Sequence, residues 1–299
     1  MHFDVVVLTD RRLLELEHGD WYSQQVHKED GLVLNALAAR GLKVCRKAWD
    51  DSEFDWRQAG ALLFRTTWDY FERYPEFAPW LSAASQATRL FNSAGLIRWN
   101  IDKHYLGELA QKGINTVTTH YIEKHDPRTL RQVLEQNGIE DAILKPAISG
   151  SARHTYRVSP NNAAELECIF AKLVQQEAMM VQPFQHQVLV QGEISLMVLD
   201  GKVSHAIRKT PKHGDFRVQD DHGGSVHEHR ASDEETRFAE AAVAAVPHDV
   251  LYARVDMVRD NHAQLAIMEL EMIEPELFFR FHPEAAEQLA DGICRRLGR

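Results

Sequence analysis

The first third of the chain alternates short apolar runs with an amphipathic segment. Residues 3–8, 42–45 and 61–64 are apolar runs, and apolar positions recur every three or four residues over residues 30–40. Runs of this length indicate strands that are buried on both faces, whereas the longer period indicates a helix. The order strand, helix, strand, strand predicts an open α/β sheet.

The polar residues that follow the third predicted strand are candidate substrate contacts. Ligands of open α/β sheets bind beside the carboxyl ends of the strands. The side chains at that position are Arg65, Trp68, Asp69 and Tyr70. The two aromatic residues would serve equally well as packing at a domain joint, and position alone leaves both interpretations open.

A second set of periodic segments follows a turn-like stretch at residues 91–95, which we interpret as a boundary. Helical periodicity predicts helices near residues 105–110, 126–136, 163–177, 233–245 and 283–296. Apolar runs predict strands at residues 116–122, 142–146 and 179–184. Asp200-Gly201, between apolar runs at 193–199 and 202–207, favours a tight hairpin turn.

One predicted strand carries a lysine and ends in a loop of small residues. Lys145 lies in this strand, and Ser149, Gly150 and Ser151 follow it. This arrangement can bring an ammonium group and free backbone amides to a phosphate. It is less specific than a P-loop, because it has one glycine and its lysine comes first. A surface lysine before an ordinary turn is the alternative.

The densest run of carboxylates lies in a predicted hairpin near the carboxyl terminus. Two apolar strands, around Asp256 and before Glu269, flank a polar turn at residues 259–263. Glu269 and Glu271 are two residues apart in a strand and therefore share a face. If Asp256 faces them, three carboxylates converge, which is costly without a cation and suits magnesium. A charged edge strand is the alternative.

Composition narrows the classes of partner. The chain has 299 residues, of which 44% are hydrophobic and 26% charged, enough for a substantial core and two or three subdomains. The net charge of −10 argues against nucleic acid or a membrane surface as a partner, although a local basic pocket for phosphate is compatible with it. Cys45, Cys168 and Cys294 form no disulfide or zinc pattern, and no long apolar run is present. We therefore expect a cytoplasmic protein.

The order of these parts carries a resemblance to a known family. From about Asn100 onward, the chain resembles the ATP-grasp superfamily, of the type that contains glutathione synthetases and ribosomal-protein glutamyl ligases. The segments that carry the resemblance are Asp102-Lys103, Leu144-Lys145-Pro146, Ser149-Gly150-Ser151, Val181-Gln182-Pro183-Phe184, Gly192-Glu193, Asp200-Gly201-Lys202, Lys209, Arg217, Asp256, Glu269 and Glu271.

The resemblance implies a role for each segment. ATP contacts are expected from Lys103, Lys145, Ser149, Gly150, Ser151, Gln182, Pro183, Phe184 and Glu193. Lys209 and Arg217 would be the catalytic cations, and Asp256, Glu269 and Glu271 would hold Mg²⁺, for which Mn²⁺ can substitute. The implied fold is α/β plus α+β: an amino-terminal open α/β domain over residues 1–97, a linker helix and small lid subdomain over 98–184, and a large subdomain with the magnesium site over 185–299.

The implied activity is that of an ADP-forming ligase. It would activate a small amino-acid-like acid as an acyl phosphate, which an amine or another nucleophile then attacks. Residues 66–70 and 269–275 are most similar to the branch that contains the D-cycloserine-forming O-ureido-D-serine cyclo-ligase, so an intramolecular ring closure is one expectation. Glu274 and Glu276 lie past the metal strand and would face the substrate or a domain joint. A carboxylate–amine ligase, a small-molecule kinase and a nucleotide-binding regulator are the alternatives, and a homo-oligomer is compatible with the resemblance.

Overall fold

A computed structural model describes residues 2–14, 21–150, 152–218 and 223–299, in which strands form three sheets. The strands are β1 (Phe3–Thr9), β2 (Val44–Ala48), β3 (Ala59–Thr66), β4 (Arg89–Phe91), β5 (His120–Ile122), β6 (Ala142–Pro146), β7 (Tyr156–Val158), β8 (Met179–Pro183), β9 (Glu193–Leu199), β10 (Lys202–Thr210), β11 (Ser225–His229), β12 (Tyr252–Arg259) and β13 (Leu265–Glu271). The helices are α1 (Trp21–Ala39), α2 (Tyr74–Ala87), α3 (Ala94–Ile101), α4 (Tyr105–Gln111), α5 (Leu130–Asn137), α6 (Ala163–Val174), α7 (Val188–Gln191), α8 (Asp233–Ala244) and α9 (Glu284–Leu297). Across these ranges, no helix has both the length and the apolar character needed to cross a membrane.

The first sheet is parallel, in the order β2-β1-β3-β4, as the open α/β pattern predicted. Residues 5–8 of its central strand are fully buried, which explains their uninterrupted apolar run. Helix α1 begins nine residues before the predicted start at Asp30. Hydrophobic periodicity missed its first half because Ser23, Glu29 and Asp30 lie on the buried face as polar residues.

The second sheet is antiparallel, in the order β5-β8-β6-β7, and α5 and α6 pack against it. The strand predicted over residues 116–122 is divided between two sheets. Thr116 forms an isolated bridge with Ile267 of β13, and the amide of Val117 donates to the Ile267 carbonyl at 3.0 Å. Only His120–Ile122 pairs with β8. The segment therefore passes from the third sheet to the second.

The third sheet is antiparallel, in the order β11-β10-β9-β12-β13, and contains both predicted hairpins. Asp200 and Gly201 make the first turn with positive φ values of 52° and 79°, as the Asp-Gly pair predicted. In the second hairpin, Asp256 lies directly opposite Glu269. This register brings the carboxylates of the two strands to the same part of the sheet.

Helices α3 and α4 connect the first sheet to the third, and the boundary predicted after residue 97 falls inside α3. The Tyr105 hydroxyl donates to the Leu270 carbonyl at 3.0 Å and accepts from the Leu270 amide at 2.8 Å. The Asn100 side chain bonds the Leu270 carbonyl and the Met272 amide, each at 2.8 Å. These bonds attach the two helices to the strand that carries the candidate metal ligands.

The first and third sheets share one hydrophobic core. Val33 and Leu37 of α1 belong to the same buried cluster as Leu289 and Ile293 of α9, although the two helices lie at opposite ends of the chain. Burial of such side chains contributes about 1.5–3 kcal/mol each. The amino-terminal domain and the large subdomain are therefore packed together as a continuous structure.

Asn92 lies at the centre of this joint. Its amide group donates to the carbonyls of Tyr252 at 2.9 Å and Met272 at 2.8 Å, and its oxygen accepts from the Leu251 amide at 2.7 Å. The residue is 2% exposed, so water cannot replace these bonds. The turn-like stretch predicted as a boundary is thus a point of attachment between domains.

We expect Asn92→Ala to lower the free energy of unfolding by about 2–4 kcal/mol, because three buried backbone groups lose their partners. Urea unfolding followed by circular dichroism measures the loss. Asn161→Ala, at an exposed position, is the control and should change stability by less than about 0.5 kcal/mol. Equal effects of the two substitutions would contradict the role of Asn92.

Candidate functional site

Two cavities meet at a common wall. The large cavity, about 640 Å³, lies between the loops of the first sheet and the third sheet. The narrow cavity, about 150 Å³, lies between the second and third sheets. The residues that line both, here called the shared wall, are Lys103, Ser149, Gly150, Lys209, Arg254, Glu269 and Glu271. A group bound in one cavity can therefore reach a group bound in the other.

The narrow cavity has the lining that a nucleotide base requires. Its apolar lining side chains include Val117, Ile143, Val188, Phe216, Val218 and Met268. Its polar and charged lining includes Lys145, Glu193, Asp256 and the residues of the shared wall. Predominantly apolar slots with a few placed polar groups are typical of small-ligand sites. The sequence predicted the hinge strand that lines the narrow cavity, but not the apolar residues that other segments contribute to it.

The hinge residues line this cavity as predicted, and part of their backbone is already engaged. The Phe184 amide donates to the Asp141 carbonyl at 2.9 Å, and the Phe184 carbonyl accepts from Asn261 Nδ2 at 2.9 Å. The buried Gln182 side chain donates to Thr119 Oγ1 at 3.0 Å. These bonds hold the hinge rigidly, and they limit which of its groups can pair with a base.

The two predicted nucleotide lysines differ in their environments. Lys103 Nζ donates to the Ser149 carbonyl at 2.6 Å and lies 3.1 Å from Glu269 Oε1. Within the described ranges, no carboxylate lies within 4.0 Å of the Lys145 ammonium group. Burial, with Lys103 nearby, lowers the pKa of Lys145, an effect that Glu269 only partly offsets. An anion in the narrow cavity would favour the charged form of Lys145.

The small-residue loop lies between the two cavities and contacts the amino-terminal domain. Ser149 Oγ donates to the Arg153 carbonyl at 3.0 Å. A Cβ atom built on Gly150 would lie 2.7 Å from Cε1 of Phe71, so the glycine allows an approach that no other residue permits. Ser151, the third residue predicted here, lies outside the described residues.

The three predicted metal ligands lie in the expected part of the hairpin, but cationic side chains bind them. Arg254 donates to Asp256 from Nε at 3.0 Å and from Nη2 at 2.9 Å, and it also bonds Glu271. Lys209 Nζ lies 3.4 Å from Asp256 Oδ1. Arg254 is two residues before Asp256 in a strand and so shares its face. The spacing alone could have identified Arg254, for which no role was predicted.

Burial and charge act differently on the carboxylates. Burial favours the neutral form of Asp256, but Arg254 and Lys209 outweigh it and hold the pKa of Asp256 below its usual value. Burial, together with Asp256 and Glu269, raises the pKa of Glu271 to about 7 despite Arg254. Asp256 is thus held in its charged form, whereas Glu271 is readily protonated. An added cation would attract the charged form of Glu271 and so lower its raised pKa.

The donor set fits Mg²⁺ in its chemistry, because all three groups offer hard oxygen ligands. In the part of the chain that the structure describes, however, no three acidic, histidine or cysteine side chains form a ready metal cluster. The reason is that Arg254 and Lys103 lie among the carboxylates. A divalent cation would have to compete with these side chains, which phosphate oxygens could bind in exchange.

Lys209, Glu193 and Arg217 also line the narrow cavity. Lys209 Nζ lies 2.8 Å from Glu193 Oε1, so a residue expected to contact ATP is paired with a predicted catalytic cation. Ser195, fully buried, donates to Asp256. Arg217 bonds Asp215 at 2.7 Å and lines the same cavity. The three predicted residues thus line the same cavity.

The predicted substrate residues fall into two groups. Trp68 and Tyr70 line the large cavity, as does Glu276. Arg65, 1% exposed, donates to the Pro275 carbonyl at 3.1 Å, and Asp69 is held by Trp49 at 2.7 Å. Arg65 and Asp69 therefore lie behind the cavity, because buried polar partners hold them in the joint.

Glu276 belongs to a chain of ion pairs that links domains. It bonds Arg280, and Arg280 Nη1 lies 2.8 Å from Oε1 of Glu29 in α1. Of the two interpretations of Glu276, the domain joint is therefore realised in the structure, at the edge of the large cavity.

Two antiparallel sheets that enclose a cavity lined by lysines and carboxylates define the ATP-grasp class. Residues 103–277 match the model of the RimK-like ATP-grasp domain, and residues 5–92 match the N-terminal domain of D-cycloserine synthetase DcsG. The chain belongs to the RimK-like ATP-grasp family. It is an ATP-dependent ligase of the ADP-forming kind.

The similarity to known proteins covers nearly the whole chain. The cycloserine biosynthesis protein DcsG of Streptomyces lavendulae is 29% identical over 283 residues, which cover 89% of this chain and 92% of that protein. The crystal structure of D-cycloserine synthetase DcsG superposes with a TM-score of 0.84 at 25% identity, over 98% of this chain and 99% of that one. The D-alanine–D-alanine ligase of Bacillus anthracis in complex with ATP has the same fold, with a TM-score of 0.67 at 14% identity over 98% and 96% of the two chains.

We expect Asp256→Asn and Glu269→Gln each to lower turnover on the order of 100-fold or more and to abolish magnesium-dependent ATP binding, because each removes a charged oxygen ligand. Binding of Mn²⁺ in the presence of ADP, followed by electron paramagnetic resonance, tests the assignment directly. Glu72→Gln, an exposed carboxylate at the rim of the large cavity, is the control. Activity of the two variants within a few-fold of the parent would refute the metal assignment.

We expect Gly150→Ala to lower ATP turnover on the order of 10- to 100-fold, because its methyl group displaces the loop from Phe71. Phe71→Leu should recover part of this loss in the double variant. Gly31→Ala, where nothing lies within 4 Å, is the control and should retain full activity. Steady-state kinetics of the parent, the two single variants, the double variant and the Gly31→Ala control tests the contact, and additive losses in the double variant would disprove it.

Proposed function

We propose that this ligase activates the carboxylate of a small amino-acid-like acid as an acyl phosphate at the shared wall. The observation that carries the proposal is that Lys103, Lys209 and Arg254 line both cavities. Phosphoryl transfer depends mainly on positioning and on neutralising the spread negative charge of the transferring group. An acid and a triphosphate would meet beside these three cations, which can both position them and neutralise the charge.

The residues divide between the two reactants. Lys145 and the small-residue loop at 149–150 bind phosphates from the narrow cavity, and the hinge at 182–184 holds the base. Lys209 and Arg254 face the acid and the phosphoryl group that it receives. Asp256, Glu269 and Glu271 would hold Mg²⁺, which when bound would neutralise charge on the phosphate oxygens. In this proposal Arg217, which lines the narrow cavity, is a further cation for the phosphates.

The proposed reaction has two steps. A carboxylate oxygen of the acid attacks the γ-phosphorus of ATP, the bond to the β–γ bridging oxygen breaks, and ADP leaves. A nitrogen nucleophile then attacks the acyl carbon, its proton is released, and inorganic phosphate leaves with the electrons of the C–O bond. Because Lys209 and Arg254 remain beside the departing phosphate, they stabilise its charge in both steps.

We further propose that the nucleophile belongs to the same molecule, as in O-ureido-D-serine. The similarity to DcsG over both domains supports this choice. Attack of the nitrogen that is bonded to oxygen closes a five-membered ring, and the carbamoyl group stays on that nitrogen in this step. A cavity of about 640 Å³ leaves room for such a compound beside the shared wall.

Incubation with ATP, Mg²⁺ and a panel of acids that includes O-ureido-D-serine should release ADP and inorganic phosphate in equal amounts. Quantitative ³¹P nuclear magnetic resonance distinguishes the products. A stable phosphate ester without free phosphate would indicate a kinase, and AMP with pyrophosphate would contradict the proposed chemistry. Mixtures of acids with free amines test whether the nucleophile instead comes from a second molecule.

A further inference from the structure

The large cavity contains several carboxylates, and nearly all of those inside it have a cationic partner. Asp10 lies 2.5 Å from Arg12, and Glu269 lies 3.1 Å from Lys103. Glu271 bonds Arg254, and Glu276 bonds Arg280. Glu72 lines the cavity too, but it is exposed to solvent. Glu274 is the exception.

Glu274 lines the large cavity, and no ion pair neutralises it. Throughout the described ranges, no lysine or arginine nitrogen lies within 4.0 Å of its carboxylate. The backbone amide of Glu274 donates a hydrogen bond to the carboxylate of the same residue. Lys103 attracts this carboxylate only from a longer distance. Burial first, and then the neighbouring charge of Glu271, raise the pKa of Glu274 well above the usual value.

The backbone holds this side chain in a fixed place. Trp68 Nε1 donates to the Glu274 carbonyl at 2.9 Å, and Arg65 Nη1 donates to the Pro275 carbonyl at 3.1 Å. Ile273 is buried in the core of the first sheet. Two donors from the amino-terminal domain thus fix the backbone of a large-subdomain residue that lines the large cavity.

An unpaired carboxylate in such a place is unfavourable unless a cation arrives with the ligand. We propose that Glu274 binds the ammonium group of the acid substrate, so that the substrate class is an amino acid whose carboxylate reaches Lys209 and Arg254. This inference rests on the proposed function for the position of that carboxylate. It assigns to one residue the distinction between amino acids and acids that have no amino group.

The alternative of a second metal ion has less support. A cation such as Mg²⁺ needs several oxygen ligands in a near-octahedral arrangement. Of the two glutamates nearest to Glu274 in sequence, Glu271 belongs to the proposed magnesium site and Glu276 bonds Arg280, so neither is available to complete a second set of metal ligands. A single carboxylate fits a ligand that brings one positive charge and hydrogen-bond donors, as an ammonium group does.

The test compares binding of matched ligands to the full-length protein. Isothermal titration with Mg²⁺ and a non-hydrolysable ATP analogue measures the affinities of O-ureido-D-serine, D-serine and D-alanine. Each is compared with the acid that lacks its amino group. Glu274→Gln keeps the size of the side chain and removes its charge, and Glu72→Gln is the control from the rim of the same cavity.

Glu274→Gln should weaken binding of the amino acids roughly 10- to 100-fold, as expected for the loss of a charge-assisted hydrogen bond. It should change the affinities of the matched acids, and of the ATP analogue, by less than about twofold. Glu72→Gln should change none of them beyond that margin. An equal loss for both members of each pair, an unchanged affinity for the amino acids, or no binding of any amino acid to the parent protein would overturn the inference.

Binding and turnover can fail separately. If amino acids bind in a manner that depends on Glu274 but no ADP forms, the proposed ligase chemistry fails and the ammonium site stands. If ADP forms equally well with acids that lack an amino group, the ligase proposal stands and the role of Glu274 is wrong. A Glu274→Gln variant that binds amino acids normally and loses only kcat would likewise overturn the binding role.

Discussion

The buried ion network around Asp256 is the interaction on which the candidate site depends. Asp256 is 4% exposed and is contacted by Arg254, Lys209 and Ser195. A buried carboxylate is tolerated because these groups satisfy it, and the same cations line both cavities. The network therefore keeps positive side chains at the junction of the two cavities. It also means that a divalent cation and phosphates must replace existing ion pairs, instead of binding to bare carboxylates.

The rest of the fold keeps this junction in place. Antiparallel pairing sets Asp256 opposite Glu269, and the Tyr105 hydroxyl fixes the adjacent Leu270 backbone on both sides. The Tyr252 hydroxyl lies within 3.2 Å of the carbonyls of Phe64 and Ile273, one from each domain. Because the amino-terminal domain and the large subdomain share a core, the large cavity has walls that are held rigidly. Preorganisation of this kind is what positioning of a reactive acid requires.

The sequence predicted those parts of the site that depend on local pattern. Alternation placed Glu269 and Glu271 on one face, and the Asp-Gly turn and both hairpins are present where they were predicted. The start of α1 was missed because its buried face contains Ser23, Glu29 and Asp30, which become compatible with burial only through distant partners such as Arg46 and Arg280. Pairings of this kind, between residues far apart in the chain, leave no periodic signal.

The same limit applies to the substrate residues. Arg65 lies near the carboxyl end of β3 and Asp69 follows that strand. These positions are typical of ligand contacts, yet the buried partners of the two side chains are the Pro275 carbonyl and Trp49. The sequence separated Glu274 and Glu276 from the metal strand but not from each other, since what distinguishes Glu274 is that, among the described residues, it lacks the cationic partner that Glu276 has. The roles of Glu274 and Glu276 differ because, among the described residues, Arg280 forms an ion pair with Glu276 and not with Glu274.

The central claim is that a substrate carboxylate takes the phosphoryl group at the shared wall. Turnover of O-ureido-D-serine labelled with ¹⁸O in its carboxylate, followed by mass spectrometry of the released phosphate, tests this claim most directly. Transfer of one ¹⁸O atom from each substrate molecule to inorganic phosphate is the predicted result, because the acyl C–O bond breaks in the second step. Unlabelled phosphate from a reaction that forms product would contradict the account.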